Sequence, residues 1–139
     1  MSQFVVDASV TMAWCFENQA DDYTRGALRA LSRGRAAAPH LWLLEVANSL
    51  VVTERRERFL PDDSDEFLRK ISTLPIDIDN AAAGAMWLRD VVSLARANAL
   101  TTYDAAYLEL AKRKGLPLAT RDASLRRAAS RIGVKLFAP

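Results

Sequence analysis

The chain reads as an α/β fold with a central, mainly parallel sheet of about five short strands and helices on both faces. Three observations point there. Phe4-Val5-Val6-Asp7-Ala8-Ser9 is an apolar run rich in β-branched residues that stops at a carboxylate. That is the pattern of a strand buried on both faces, whose end is delivered to the crevice beyond the carboxyl edge of the sheet. Further short apolar segments recur between helical stripes, and this alternation implies right-handed βαβ crossovers. No internal repeat or low-complexity linker interrupts it over 139 residues, a length that suits one domain, 1–139, around one core.

Taken in order, Ser9 to Phe16 predicts a short buried helix capped by Asp7 or Ser9. From Gln19 to Ser32, Ala20, Tyr23, Ala27, Leu28 and Leu31 form a helical stripe, which Gly34 ends. Ala36 to Ala38, ahead of Pro39, is a short strand. Leu41 to Val52 is apolar almost all round, the mark of a largely buried helix, and the charged run Glu54-Arg55-Arg56-Glu57-Arg58 turns it to solvent. Pro61 opens a helix whose early acids Asp62, Asp63, Asp65 and Glu66 are structural, with Phe67, Leu68, Ile71 and Leu74 as its apolar face. Ile76 to Ile78 is a strand. Asp79 or Asn80 caps a long helix from Ala81 through Ala95, inside which Gly84 marks close packing. Thr101-Thr102-Tyr103-Asp104 opens a helix with Ala105, Leu108 and Ala111 on its apolar face, Tyr107 alongside and Lys112-Arg113-Lys114-Gly115 at its end. Leu116 to Thr120 is the next strand, Ala123 to Ile132 a helix, and Val134 to Phe137 a terminal strand.

Composition excludes several classes. Half the residues are apolar and 26% charged, the balance of an ordinary globule. No apolar run reaches the roughly 18 residues of a membrane span, and Met1-Ser2-Gln3 carries no charged leader, so the expected location is the cytoplasm. Cys15 stands alone and can form no internal disulfide. A net charge of +2 exerts no overall pull on nucleic acid. Its distribution says more: Arg25, Arg29, Arg33 and Arg35 recur near helical spacing, Arg55, Arg56 and Arg58 cluster, and Lys112, Arg113, Lys114, Arg126, Arg127 and Arg131 follow. Around an acidic centre these suit a polyanion.

That centre would be Asp7, Glu45, Asp104 and Asp122. Any of the three Asp residues could serve a helix start alone. Glu45 differs, because a carboxylate in the middle of an apolar helix is costly unless an arginine or a metal neutralises it; Asn48 and Ser49 share its face. Four acids at one sheet edge repel one another unless divalent cations intervene. Oxygen ligands without Cys or His favour Mg²⁺ or Mn²⁺, ions suited to phosphodiester hydrolysis. With His40 the only histidine, a ribonuclease using two histidines is excluded. A Gly-rich phosphate loop, a Gly-x-Ser-x-Gly elbow and zinc-type Cys/His spacing are all missing. A receiver-type phosphoacceptor domain would need an acidic pair where Asp7 stands alone, and an Asp-x-Asp phosphatase a second acid where Ser9 stands.

Val6-Asp7-Ala8-Ser9, Glu45-Val46-Ala47-Asn48, Thr102-Tyr103-Asp104-Ala105-Ala106-Tyr107-Leu108-Glu109-Leu110-Ala111 and Leu118-Ala119-Thr120-Arg121-Asp122 resemble, in order and spacing, the PIN-domain family and its VapC-like toxins of toxin–antitoxin pairs. The resemblance implies a Rossmann-like α/β/α sandwich and a Mg²⁺-dependent endoribonuclease leaving a 5′-phosphate. It makes Asp7 and Asp104 the principal metal ligands, completed by Glu45 and Asp122, with Ser9 and Thr120 holding ligands or a water and Asn48 beside Glu45. It further implies an RNA substrate, a small antitoxin whose C-terminal segment covers the site, and a homodimer. Apolar surface for a partner helix is expected from Trp42, Val51, Val52, Phe59 and Phe67. Asn98 stands where many relatives carry an aromatic residue or histidine. A PIN-like binding module without catalysis is the alternative.

Overall fold

β1 (Ser2–Val6) is the axis of the sheet. Its residues Phe4, Val5 and Val6 have no exposed surface, which stabilises the fold by roughly 2 kcal/mol for each side chain. The computed structural model describes residues 1–56, 59–81 and 84–139, so Arg58 of the basic cluster and the first residues expected of the long middle helix lie outside the described residues. β1 pairs in parallel with β2 (Arg35–Pro39) on one side and β4 (Leu118–Ala119) on the other, and β2 pairs in parallel with β3 (Ile76–Asp79). The order is β3-β2-β1-β4, with Val5 opposite both Ala37 and Leu118. The expected terminal strand contributes one rung: Leu136 bridges Leu118, flanked by hydrogen bonds Leu118 N to Lys135 O and Phe137 N to Leu118 O, each 2.9 Å. Four strands and this bridge therefore stand where about five strands were expected.

The helices are α1 (Ala8–Ala13), α2 (Asp22–Ala30), α3 (Leu41–Arg56), α4 (Pro61–Ser72), α5 (Gly84–Asn98), α6 (Thr102–Lys114) and α7 (Ala123–Ile132). Connections from β1 through β2 to β3 step one way across the sheet, and the β3 to β4 connection steps back. Right-handed crossovers therefore set α1 to α4 on one face and α5 and α6 on the other. The carboxyl ends of β1 and β4 meet at the point where the connections reverse, the place where open α/β sheets gather ligands.

Three elements differ from expectation. α3 is not buried all round: Trp42, Val46 and Leu50 face the core, while Leu44 is 73% exposed with Leu43 and Val51 beside it. The apolar pattern reports hydrophobicity, not whether this chain supplies a cover. Of the five residues expected to offer a docking surface, Trp42 and Phe67 are core; the exposed apolar side chains of α3, α4 and its entry are Leu43, Leu44, Val51, Leu60 and Leu68. Gly84, expected to mark close packing, meets nothing within 4 Å; its φ of +86° serves the left-handed turn into α5.

Asp79, expected to cap the long helix, accepts from the Ala81 N–H at 3.3 Å. Its closer partner is Arg113, 2.6 Å away, and the same guanidinium meets Glu109 at 2.8 Å while the Trp87 indole donates to Glu109 at 2.9 Å. Asn98 is buried, its amide donating to Leu94 O and its oxygen accepting from Arg131, so it closes α5.

Candidate functional site

Asp7 follows directly on β1, 5% exposed, and caps α1. Its Oδ1 accepts from the Val10 N–H at 3.0 Å and the Ser9 hydroxyl at 2.7 Å; its Oδ2 accepts from the Thr120 hydroxyl. Ser9 Oγ in turn accepts from Arg121 N–H and Thr120 Oγ1 from Asp122 N–H, each at 3.1 Å. Two hydroxyls thus stitch the β1–α1 turn to the β4–α7 turn around one carboxylate. A third contact holds the Asp7 backbone: the Trp42 indole donates to Thr11 Oγ1 at 2.9 Å, and that hydroxyl donates to Asp7 O at 2.8 Å.

The other acids arrive on separate elements. Glu45 stands half-buried on α3 and accepts at Oε1 from the Tyr107 hydroxyl of α6 at 2.5 Å. Asp104 lies in the first turn of α6, which Thr101 caps by accepting from the Asp104 N–H at 3.1 Å. Asp122 is exposed and caps α7 through Leu125 N–H at 2.8 Å.

Electrostatics ties them together. Burial pushes the Asp7 carboxyl up to about 6 against the hydrogen bonds of Thr120, Val10 and Ser9, and the charge of Asp104 adds to the rise. Burial raises Asp104 too, helped by the charge of Asp122. Burial raises Glu45, the Tyr107 hydroxyl lowers it, and the charge of Asp104 adds to the rise. Asp104 is therefore the common neighbour, felt by Asp7 and Glu45 and itself feeling Asp122. Among the described residues no lysine, arginine or histidine forms an ion pair with any of the four.

The sequence pattern of the PIN domain matches residues 4–131. The chain belongs to the PIN-domain family. PIN domains are generally nucleases acting on nucleic acids. Among solved structures, PAE2754 from Pyrobaculum aerophilum superposes with a TM-score of 0.71 at 25% identity, covering 91% of this chain and 84% of that one. A toxin-antitoxin complex from Klebsiella pneumoniae gives 0.66 at 16% identity over 97% of both chains. FitAcB from Neisseria gonorrhoeae gives 0.67 at 16% identity over 99% of this chain and 98% of that one. At that identity the last two are likenesses of fold. No curated protein matches the chain in sequence.

In this PIN domain the donor set fits a hard divalent ion: four carboxylates with oxygen donors only, without ion-pair partners among the described residues, and with proton affinity raised at Asp7, Glu45 and Asp104. Among the described residues no three of these acids close into a ready-made metal cage. Ser9 and Thr120 join the site by holding Asp7. Asn48 does not join it: it is exposed and makes no hydrogen bond among the described residues, while Ser49 folds its hydroxyl back to Glu45 O at 2.9 Å. Sequence reading named Tyr107 only as a neighbour of an apolar face, and missed it as the partner of Glu45; the signal was a hydroxyl one helical turn after Asp104. It also missed the clip on Arg121, whose guanidinium donates to Gln19 O and lies 3.5 Å from Asp21.

A cleft of about 770 Å³, lined by Gln3, Arg29, Arg33 and Phe137, contains none of the four acids. A smaller groove of about 320 Å³ runs beside Ser9 between α1 and Ser49, Val52 and Thr53 of α3. Among the described residues no helix is long and apolar enough to cross a membrane.

Proposed function

We propose that this PIN domain is a Mg²⁺- or Mn²⁺-dependent endoribonuclease acting in the cytoplasm as the toxin of a toxin–antitoxin pair. The observation that carries the reading is Asp7: a carboxylate buried at a strand end, pushed up to about 6, with another acid beside it and no cation paired to it among the described residues. Burial makes the ionised form of a group so placed costly, and positive charge supplied from outside would relieve that cost. The family's general nuclease activity and the toxin-antitoxin name of the Klebsiella pneumoniae neighbour support the same reading.

Asp7, Asp104, Glu45 and Asp122 would hold the ion. When bound, it supplies Lewis acidity toward a phosphoryl oxygen and lowers the pKa of an attacking water. Ser9 and Thr120 keep the Asp7 oxygens fixed, so the carboxylate loses little freedom on binding. The RNA backbone would meet exposed arginines such as Arg121 at the lip of the site. An antitoxin segment would cover the apolar strip formed by Leu43, Leu44, Val51, Leu60 and Leu68, and a second copy of the chain would complete a homodimer.

Labelled RNA incubated with Mg²⁺, with Mn²⁺ and with a chelator, beside the Asp104→Asn variant, tests the enzyme. Cleavage is expected to need the divalent ion and to fall about a thousandfold in the variant, since the metal's share of catalysis is worth several kcal/mol. Cleavage that survives chelation, or an unaffected variant, would overturn it. One observation favours a non-catalytic binding module instead, namely that no three acids close into a cage among the described residues. RNA retention without cleavage in the same assay is its signature.

A further inference from the structure

We propose that Tyr107 is a positioning residue for Glu45, setting the carboxylate toward Asp104 and so determining how the acidic site receives its divalent cation. The inference rests on the metal-dependent reading above and adds a residue to it. Tyr107 sits on α6 one turn after Asp104, and its side chain is 1% exposed among core residues. Its hydroxyl reaches across to α3 and donates to Glu45 Oε1 at 2.5 Å, joining positions 62 apart in sequence.

The geometry assigns the bond a task beyond packing. Glu45 stands half-buried on α3, and among the described residues its side chain makes a hydrogen bond to Tyr107 alone. A free glutamate loses on the order of 1.5–2 kcal/mol of side-chain entropy when fixed. The Tyr107 ring is already locked in the core, so its hydroxyl fixes Glu45 without ordering a second side chain. It occupies Oε1 and leaves Oε2 without a hydrogen bond among the described residues, available to a cation. Asp104 and Tyr107 ride on the same rigid helix, so one element sets the spacing of two of the four acids. Groups that orient a metal-binding side chain typically account for tenfold to a hundredfold in affinity or activity.

The test is a double-mutant cycle with Tyr107→Phe and Glu45→Ala. It is read as Mn²⁺ affinity by calorimetry, as RNA cleavage split into kcat and KM, and as thermal unfolding of each variant. Tyr107→Phe is expected to weaken Mn²⁺ binding about tenfold and to lower kcat with little change in KM in the native background, and to change neither further in the Glu45→Ala background. Equal losses in both backgrounds would mean that the hydroxyl acts through something other than Glu45, and would overturn the proposal. So would native Mn²⁺ affinity in Tyr107→Phe. If the native chain binds Mn²⁺ but cuts no RNA, the nuclease reading fails while the calorimetric cycle still decides the role of Tyr107.

Discussion

Asp7 and Asp79 make an instructive pair. Each stands at the carboxyl end of a parallel strand, Asp7 just past β1 and Asp79 as the last residue of β3, and they are 5% and 7% exposed. Burial pushes both carboxyls up, yet they end on opposite sides of the ordinary value. Asp7 rises to about 6, whereas the hydrogen bonds and charge of Arg113 outweigh burial and hold Asp79 below 3.8. Position relative to the sheet is common to both, and the neighbouring guanidinium is the difference. A buried acid already matched inside the fold is structural, and one left unmatched is where an external cation has a role.

The largest effect expected from that contrast is on Arg113. Replacing it by Met leaves Asp79 and Glu109 buried without their cation, and stability measured in urea should fall by about 3–5 kcal/mol. A loss under about 1 kcal/mol would show that this pairing is not what keeps those acids inside.

Next comes Asp7→Asn. Because the folded carboxyl is raised from 3.8 to about 6, its contribution to stability is complete below 3.8 and is lost as pH rises through 6, a change of about 3 kcal/mol. The metal-free variant should therefore be more stable than the native chain by up to that amount at about pH 8 and equal to it at about pH 4, while RNA cleavage is lost. Asp79 has the opposite sign: its contribution is present above 3.8 and is lost as pH falls through the lowered value. Parallel urea titrations of Asp7→Asn and Asp79→Asn should thus diverge with pH, and curves that run together would break the comparison.

The smallest effect on stability belongs to an apolar counterpart of Asp7. Leu44, 73% exposed on α3, is unmatched within the chain, and Leu44→Glu should change stability by less than about 0.5 kcal/mol while abolishing capture of the proposed antitoxin. A large loss of stability would mean that the residue has a cover within the fold.

What could be read from the sequence was what is local. Strands ending just before Asp7 and Thr120, helices capped by Thr101 and Asp122, and the glycine stops of α6 and α7 are written in a few adjacent residues, and they placed Asp7, Asp104 and Asp122 at strand ends and helix starts. What could not be read depends on which elements meet. The pairing of Arg113 with Asp79 spans 34 positions and that of Tyr107 with Glu45 spans 62, so no periodicity encodes either. The outer face of α3 was misread because an apolar stripe looks the same whether it is covered by its own chain or by another. The terminal strand shrank to one rung because β4 itself is only Leu118–Ala119, leaving little edge to extend.

The two hydroxyl clasps around Asp7 come from far apart in the sequence, one from Ser9 and the other from Thr120, 113 positions after Asp7. During synthesis β1 emerges early but has no neighbour on its β4 side until residues 118 and 119 have left the ribosome. On the proposed nuclease reading, a centre assembled this way stays unformed on a half-made chain, and a stalled or truncated translation product would spare the RNA around it.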